Sequence, residues 1–128
     1  MNILNEFLKK RIISKYIFEM APALVKGFGP QDQFTVPQIE TAARKCDISM
    51  QYIPYAIALY RHEESNRTVK LYHINQAFLE LLRSEISEWF FEGYDYRSKD
   101  VIKLAKPRVW RGGHIRSMAN RFGRSATY

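Results

Sequence analysis

The sequence predicts an all-α fold, a compact bundle of four main helices followed by short C-terminal helices. Apolar residues recur at intervals of three and four through residues 2–90, which is the spacing of one face of an α-helix. Residues rich in Pro and Gly separate these periodic segments. Apolar side chains make up 46% of the 128 residues and aromatic ones 14%, which is enough to build one core. We therefore expect residues 1–106 to form a single helical domain and residues 107–128 to form a basic C-terminal segment.

The first helix is predicted over residues 2–20. Pro22 lacks a backbone donor, so this helix should kink or stop near Met20 or Ala21. A loop rich in Gly and Pro follows and runs to Phe34. Two neighbouring lines of apolar residues form the buried face: Ile3, Phe7, Ile13, Ile17 and Met20, with Leu4, Leu8, Ile12 and Tyr16 beside them. The basic residues between these lines are interpreted as a solvated face: Lys9, Lys10, Arg11 and Lys15.

The second and third helices are predicted to be joined by a tight turn. Thr35 and Gln38 have the spacing of a capping box, which starts the second helix. The third helix should begin near Tyr52 or Ile53, because Pro54 lacks a donor and is tolerated only in a first turn. The expected buried residues are Ile39, Ala42, Ala43 and Cys46 in the second helix, and Ile53, Ala56, Ile57 and Tyr60 in the third.

The fourth helix is predicted to follow Asn75, whose side chain can cap it, and to end near Gly93. Its buried ridge is expected to be Ile74, Phe78, Leu82, Ile86 and Trp89, flanked by Leu79, Leu81 and Phe90. Before it, Thr68, Val69, Leu71 and Tyr72 are candidates for a short strand. After it, Ser98 is expected to cap a fifth helix over residues 99–105, which Pro107 would end.

Residues 38–60 resemble a helix-turn-helix in the spacing of Ala43, Ile48 and Ile53. In DNA-binding proteins of this class, the second helix lies in the major groove and its first residues contact bases. Here those positions hold Met50, Gln51, Tyr52 and Tyr55. Only Gln51 is suited to read a base, and no Arg or Lys is present to bind phosphate. This surface favours the alternative of two packed core helices. Beyond this spacing, the chain resembles small bacterial proteins of unassigned activity.

The net charge of +7 lies entirely in the last 28 residues. Residues 1–100 hold thirteen acidic and thirteen basic residues, whereas residues 101–128 hold seven basic residues and no acidic one. Such a division is typical of a folded unit that carries a polyanion-binding segment. The residues expected to bind nucleic acid are Arg108, Trp110, Arg111, Arg116, Arg121 and Arg124.

Two other partners fit the same segment. Its arginines could pair with carboxylates on this or another chain, for which Glu85, Glu88 and Glu92 of the fourth helix are candidates, in a protein-interaction or oligomeric adaptor. An anionic membrane surface also suits Arg beside Trp and Phe. Ile115, Met118, Ala119 and Phe122 have helical spacing, which predicts that the segment folds in part and docks on the domain.

No catalytic, metal or cofactor site is predicted. Cys46 is the single cysteine, and its place on an apolar face predicts an inert thiol rather than a nucleophile aided by His73 or His114. His62 and His73 are eleven residues apart, which does not fit a helical zinc site. The start of the sequence does not resemble a secretory signal, and no apolar run approaches the length of a membrane span. We expect a non-enzymatic, soluble, cytoplasmic protein that binds DNA or RNA with weak sequence specificity.

Overall fold

The computed structural model describes residues 3–106, with side chains from Asn5 onward, and this part of the chain forms helices without any strand. The all-α prediction is confirmed. The helices are α1 (Ile3–Phe18), α2 (Met20–Phe28), α3 (Val36–Lys45), α4 (Ile53–Tyr60), α5 (Asn66–Tyr72), α6 (Gln76–Phe90) and α7 (Ser98–Ala105).

Helix α4 is the centre of the bundle. Six of its eight residues are buried, and it packs against α1, α3, α6 and α7. Two tyrosine hydroxyls connect α4 to its neighbours. The Tyr60 hydroxyl of α4 donates to the carbonyl of Tyr16 on α1 at 2.6 Å, and the Tyr96 hydroxyl, after α6, donates to the carbonyl of Ala58 on α4 at 2.8 Å. A buried hydroxyl keeps its hydrogen-bond partner at such positions, so these contacts fix the orientation of the surrounding helices.

The boundaries of the predicted helices agree well with the structure. The break near Pro22 is confirmed: α1 ends at Phe18, and Pro22 lies in the first turn of α2, where its missing donor costs little. The loop predicted to follow this break begins only after Phe28, because residues 20–28 form α2. The Thr35 capping box is also confirmed, since Thr35 Oγ1 accepts from the Gln38 amide at 3.2 Å and Gln38 Oε1 accepts from the Thr35 amide at 2.9 Å. Asn75 Oδ1 caps α6 by accepting from the Phe78 amide at 2.9 Å.

The strand prediction for Thr68–Tyr72 is wrong, because these residues belong to helix α5. Ser65 Oγ accepts from the Thr68 amide at 3.2 Å, and Thr68 Oγ1 accepts from the Ser65 amide at 2.8 Å. This reciprocal cap starts the helix in spite of the β-branched residues that follow. At its other end, the Tyr72 hydroxyl donates to the buried carboxylate of Glu40 on α3, which fastens α5 to the bundle.

The apolar spacing overestimates the buried face of two helices. Phe7 and Leu8 of α1 are exposed, as are Phe78 and Leu81 of α6, of which Leu81 is 67% exposed. Helical spacing shows which residues share a face, but the width of the buried face depends on how many neighbours pack there. The buried side of α6 comprises Leu79, Leu82, Arg83, Ile86 and Ser87.

Ser98 does not cap α7, contrary to the prediction. Arg97 occupies the N-cap position, and Asp100 Oδ2 accepts from its amide at 2.8 Å. Ser98 is the first helical residue and is buried, and its hydroxyl has no partner within the described residues. The Asp100 carboxylate satisfies the amide of the N-cap residue, and the helix begins one residue earlier than predicted.

Candidate nucleic-acid interface

The six residues predicted to bind nucleic acid, Arg108, Trp110, Arg111, Arg116, Arg121 and Arg124, lie outside the described residues. The boundary of the domain at residue 106 and the docking of residues 107–128 likewise stay predictions. The last described residue, Lys106, is exposed at the end of α7, so α7 shows which side of the bundle the basic segment leaves from.

Helices α1, α2 and α7 pack against one another and form a basic side of the bundle, defined here as residues 3–28 and 97–106. These residues hold nine Lys and Arg against three carboxylates, a net charge of +6. All nine cationic residues except Lys9 are exposed. Exposed cations on neighbouring helices raise the local potential and attract phosphates. Without Lys103 and Lys106, which belong to the acid-free segment, these residues still hold seven basic and three acidic side chains. The part of the chain that is neutral by count, residues 1–100, is therefore divided in space.

The opposite charge collects on α6 and the turn that follows it. Residues 76–96 hold five carboxylates and one basic residue, Arg83, which is buried. The predicted row of three carboxylates on one side of the helix is only partly correct. Glu92 lies beyond the end of α6 with a positive φ of 56°, and Glu85 is already bound to Lys9 and Tyr55. Glu88 stays exposed on the helix.

Arg83 has a structural role beneath this acidic surface. Its guanidinium donates to the carbonyls of Ala58 and Arg61, each at 2.8 Å, and to the carbonyl of Tyr96. It also lies 4.1 Å from the centroid of the Tyr96 ring. Burial lowers the pKa of Arg83, yet its carbonyl partners retain the cation. Backbone carbonyls inside the protein therefore bind the Arg83 cation, and we assign it no ligand contact.

A cleft of about 280 Å³ opens beside Arg83. Its rim carries Glu80, Glu88 and Asp95, together with the exposed ring of Tyr94. Three carboxylates around a single guanidinium, which already donates three hydrogen bonds to backbone carbonyls, repel phosphate, so we do not assign this cleft to a nucleic-acid interface.

A second feature joins α1 to α4 and α6, and we name it the aromatic patch: Lys9, Lys10, Tyr55, Glu85 and Trp89. Lys9 Nζ lies 3.2 Å from the Tyr55 hydroxyl and 3.4 Å from Glu85 Oε2. The Tyr55 hydroxyl donates to Glu85 Oε1 at 2.5 Å. The ammonium groups of Lys9 and Lys10 lie 5.5 Å and 5.0 Å from the centroid of the Trp89 ring, within the range of cation–π attraction.

The charges within the aromatic patch are coupled. Burial lowers the pKa of Lys9, but hydrogen bonding and Coulombic attraction to Tyr55 and Glu85 outweigh this effect, so its pKa is raised. Burial raises the pKa of Tyr55, and its hydrogen bond to Glu85 raises it further. The Lys9 ammonium therefore stays charged and neutralises Glu85. Lys10 has no carboxylate within 4.0 Å among the described residues.

Sequence reasoning did not find the aromatic patch. Trp89 was expected in the buried ridge of the fourth helix, and Lys9 and Lys10 were expected on a solvated face. Trp89 is instead half-buried and lies beneath both ammonium groups. The partners are separated by about 80 positions, and no local spacing in the sequence indicates such a contact.

The helix-turn-helix interpretation is not supported. The turn between α3 and α4 has the expected local geometry, with Asp47 at φ 57° and the Ile48 amide bound to the Ala43 carbonyl at 3.0 Å. A recognition helix, however, needs an exposed face to enter the major groove, and α4 is surrounded by four helices. Of the four predicted reading positions, only Gln51 is exposed, while Met50, Tyr52 and Tyr55 are half-buried.

The cysteine and histidines do not assemble into a catalytic group among the described residues. Cys46 is half-buried and its Sγ donates to the Glu19 carbonyl at 3.4 Å, while burial raises the pKa of its thiol. His62 Nε2 lies 2.9 Å from Arg97 Nη1 and 3.9 Å from Asp32 Oδ2, and burial, followed by the Arg97 charge, lowers its pKa. Within residues 3–106, no cluster of His, Cys, Asp and Glu could hold a metal ion.

Comparison with known proteins identifies a family but no activity. The model of a family of unknown function (DUF6559) matches residues 4–128. No curated protein and no solved structure matches the chain. None of the helices between residues 3 and 106 is long and apolar enough to cross a bilayer.

Proposed function

We propose that this chain, which belongs to the DUF6559 family of unknown function, is a non-enzymatic nucleic-acid-binding protein. Its basic side and the C-terminal residues Arg108, Arg111, Arg116, Arg121 and Arg124 bind the phosphate backbone together. Trp110 contributes an aromatic surface within the same segment.

The observation that carries this proposal is the convergence of positive charge. Eight exposed Lys and Arg residues occupy α1, α2 and α7 or the residues next to them. Two of them, Lys103 and Lys106, already belong to the acid-free segment, whose five further basic residues follow in the sequence. The family match extends through that segment to residue 128, so the family model covers the segment together with the helices. Phosphate contacts supply affinity without regard to sequence. Since α4 is enclosed, we expect weak sequence specificity.

The experiment compares two double charge reversals in the full chain. Lys99→Glu with Lys103→Glu alters the basic side, whereas Lys45→Glu with Lys70→Glu makes the same change in net charge on α3 and α5, where both lysines are also exposed. Affinity for a 20-nucleotide RNA and for DNA is measured between 50 and 200 mM salt.

We expect the first pair to weaken binding and to reduce the slope of log affinity against log salt by about 1.5, which corresponds to two lost phosphate contacts. The control pair should leave the slope nearly unchanged. Equal losses of affinity for the two pairs would show that binding depends on net charge alone, which would refute the role of the basic side. Affinity that is independent of salt would refute the proposal.

A second candidate is the adaptor function, in which the C-terminal arginines pair with an acidic protein surface. The exposed carboxylates of Glu80 and Glu88 beside the exposed Leu81 of α6 favour it, because they combine charge with an apolar anchor. If the chain is an adaptor, replacing Glu80 and Glu88 by Gln should abolish its self-association. If the chain binds nucleic acid, the same replacement should not weaken that binding.

A further inference from the structure

We propose that the aromatic patch stacks an unpaired base on Trp89, so that the nucleic acid bound by this protein is single-stranded. The inference rests on the proposed function and specifies its substrate class. The patch provides an aromatic ring and cations together, which is the combination that single-strand-binding surfaces use.

The geometry around Trp89 suits a stacked base. The ring lies in the last turn of α6, is half-buried, and has two ammonium groups 5.0 Å and 5.5 Å from its centroid. Lys10 has a flexible, exposed side chain without a carboxylate within 4.0 Å among the described residues, so a base can take its place on the ring while its ammonium turns to a flanking phosphate. Lys9 stays on Glu85 and Tyr55. Tyr55 supplies a second ring next to Lys9, whose Nζ is 5.3 Å from its centroid.

The carboxylate in the patch does not prevent this binding. Glu85 accepts hydrogen bonds from both Lys9 and Tyr55, so its charge is compensated within the protein. Lys10 has no such partner among the described residues and is exposed, which leaves it to bind phosphate. Lys10 is also part of the basic side, so a strand that follows α1 meets this cation where α1 approaches Trp89 of α6.

A single strand fits this surface better than a duplex. Bases in a duplex are stacked on each other, and their edges are read by an element inserted into a groove. The helix with the spacing for that role, α4, is enclosed in the bundle. An unpaired base, by contrast, presents its face to any aromatic side chain at the surface.

The test uses Trp89 as its own reporter. The chain contains two tryptophans, so Trp110→Phe leaves Trp89 as the single source of tryptophan fluorescence. This full-length variant is titrated with a dodecamer of deoxythymidine, with a duplex of the same length, and with inorganic polyphosphate as a probe of charge alone. We expect the single strand to quench Trp89 emission and polyphosphate to bind without quenching it.

A second measurement changes the ring itself. In the Trp110→Phe background, Trp89→Leu should weaken binding of the single strand about five- to hundredfold, the loss of one stacked base, and polyphosphate binding should change less than twofold. The matched control is Tyr94→Ala, which removes an aromatic ring that is 72% exposed on the acidic cleft and should leave both affinities unchanged. Circular dichroism checks that each variant is folded. If Trp89→Leu does not fold, the fluorescence quenching of Trp89 by the single strand tests the proposal without this variant.

The outcomes separate the two proposals. Single-strand binding that depends on salt but leaves Trp89 emission unchanged refutes stacking and keeps the proposed function. Equal quenching by the duplex refutes the preference for single strands. Failure of both oligonucleotides and polyphosphate to bind refutes the proposed function as well.

Discussion

Replacing Arg83 by Met should destabilise the protein severely, although no ligand contact is lost. The guanidinium donates to three backbone carbonyls, those of Ala58, Arg61 and Tyr96, and the residue is 8% exposed. Met fills the space of the side-chain stem but donates no hydrogen bond, so the three acceptors lose their charged donor in the interior.

The magnitude follows from these contacts. A hydrogen bond to a charged group contributes about 1.5–3 kcal/mol, and removing the buried guanidinium returns part of this sum because its desolvation cost disappears. We expect the free energy of unfolding to fall by about 3–5 kcal/mol, a large part of the 5–15 kcal/mol typical of a domain.

Urea unfolding followed by circular dichroism measures this change. With a slope of about 1–3 kcal/mol per M, the midpoint should fall by more than 1 M. The control is Arg44→Met on the exposed surface of α3, which should change stability by less than about 0.5 kcal/mol. A loss below about 1 kcal/mol for Arg83→Met would refute the structural role assigned to the three hydrogen bonds of Arg83.

Two further predictions concern single elements. Because burial and the Arg97 charge lower the pKa of His62 from its usual 6.5, the unfolded chain takes up a proton first, so stability should fall as the pH drops below about 6.5. His62→Gln should flatten this part of a stability profile measured between pH 5 and 8, and an unchanged slope would contradict the assignment. Ser65→Ala removes one half of the reciprocal cap of α5 and should cost about 1 kcal/mol in urea unfolding. Thr41→Ala, an exposed change within α3, provides the comparison, and equal losses would show that the cap is not the cause.

The sequence predicted most helix boundaries correctly because the signals are local. The Thr35 and Asn75 caps and the position of Pro54 each act over three or four residues, and the structure confirms all three. The strand prediction failed at Thr68 because β-propensity was weighed without the cap from Ser65. The reciprocal hydrogen bonds between Ser65 and Thr68 favour a helix here over the β-propensity of the side chains that follow.

The candidate site was less accessible to sequence reasoning. Net charge could be counted, and the count located an excess of seven positive charges after residue 100. The count could not show that residues 1–100, which are neutral by count, separate into basic residues on α1, α2 and the start of α7 and acidic residues on α6 and the turn after it. That separation depends on which helices pack together, and charges far apart in the chain become neighbours only through packing.

By itself, the sequence determined the helical class, the caps that start α3 and α6, and the position of the acid-free segment, since these depend on residue type and short-range spacing. The tertiary structure alone decided which apolar residues are buried, that Arg83 is an internal donor, and that Lys9 lies against Glu85 and Trp89. The physical reason is that burial and charge pairing depend on distances between helices. These distances follow from the packing of the complete bundle and not from any single segment of the chain.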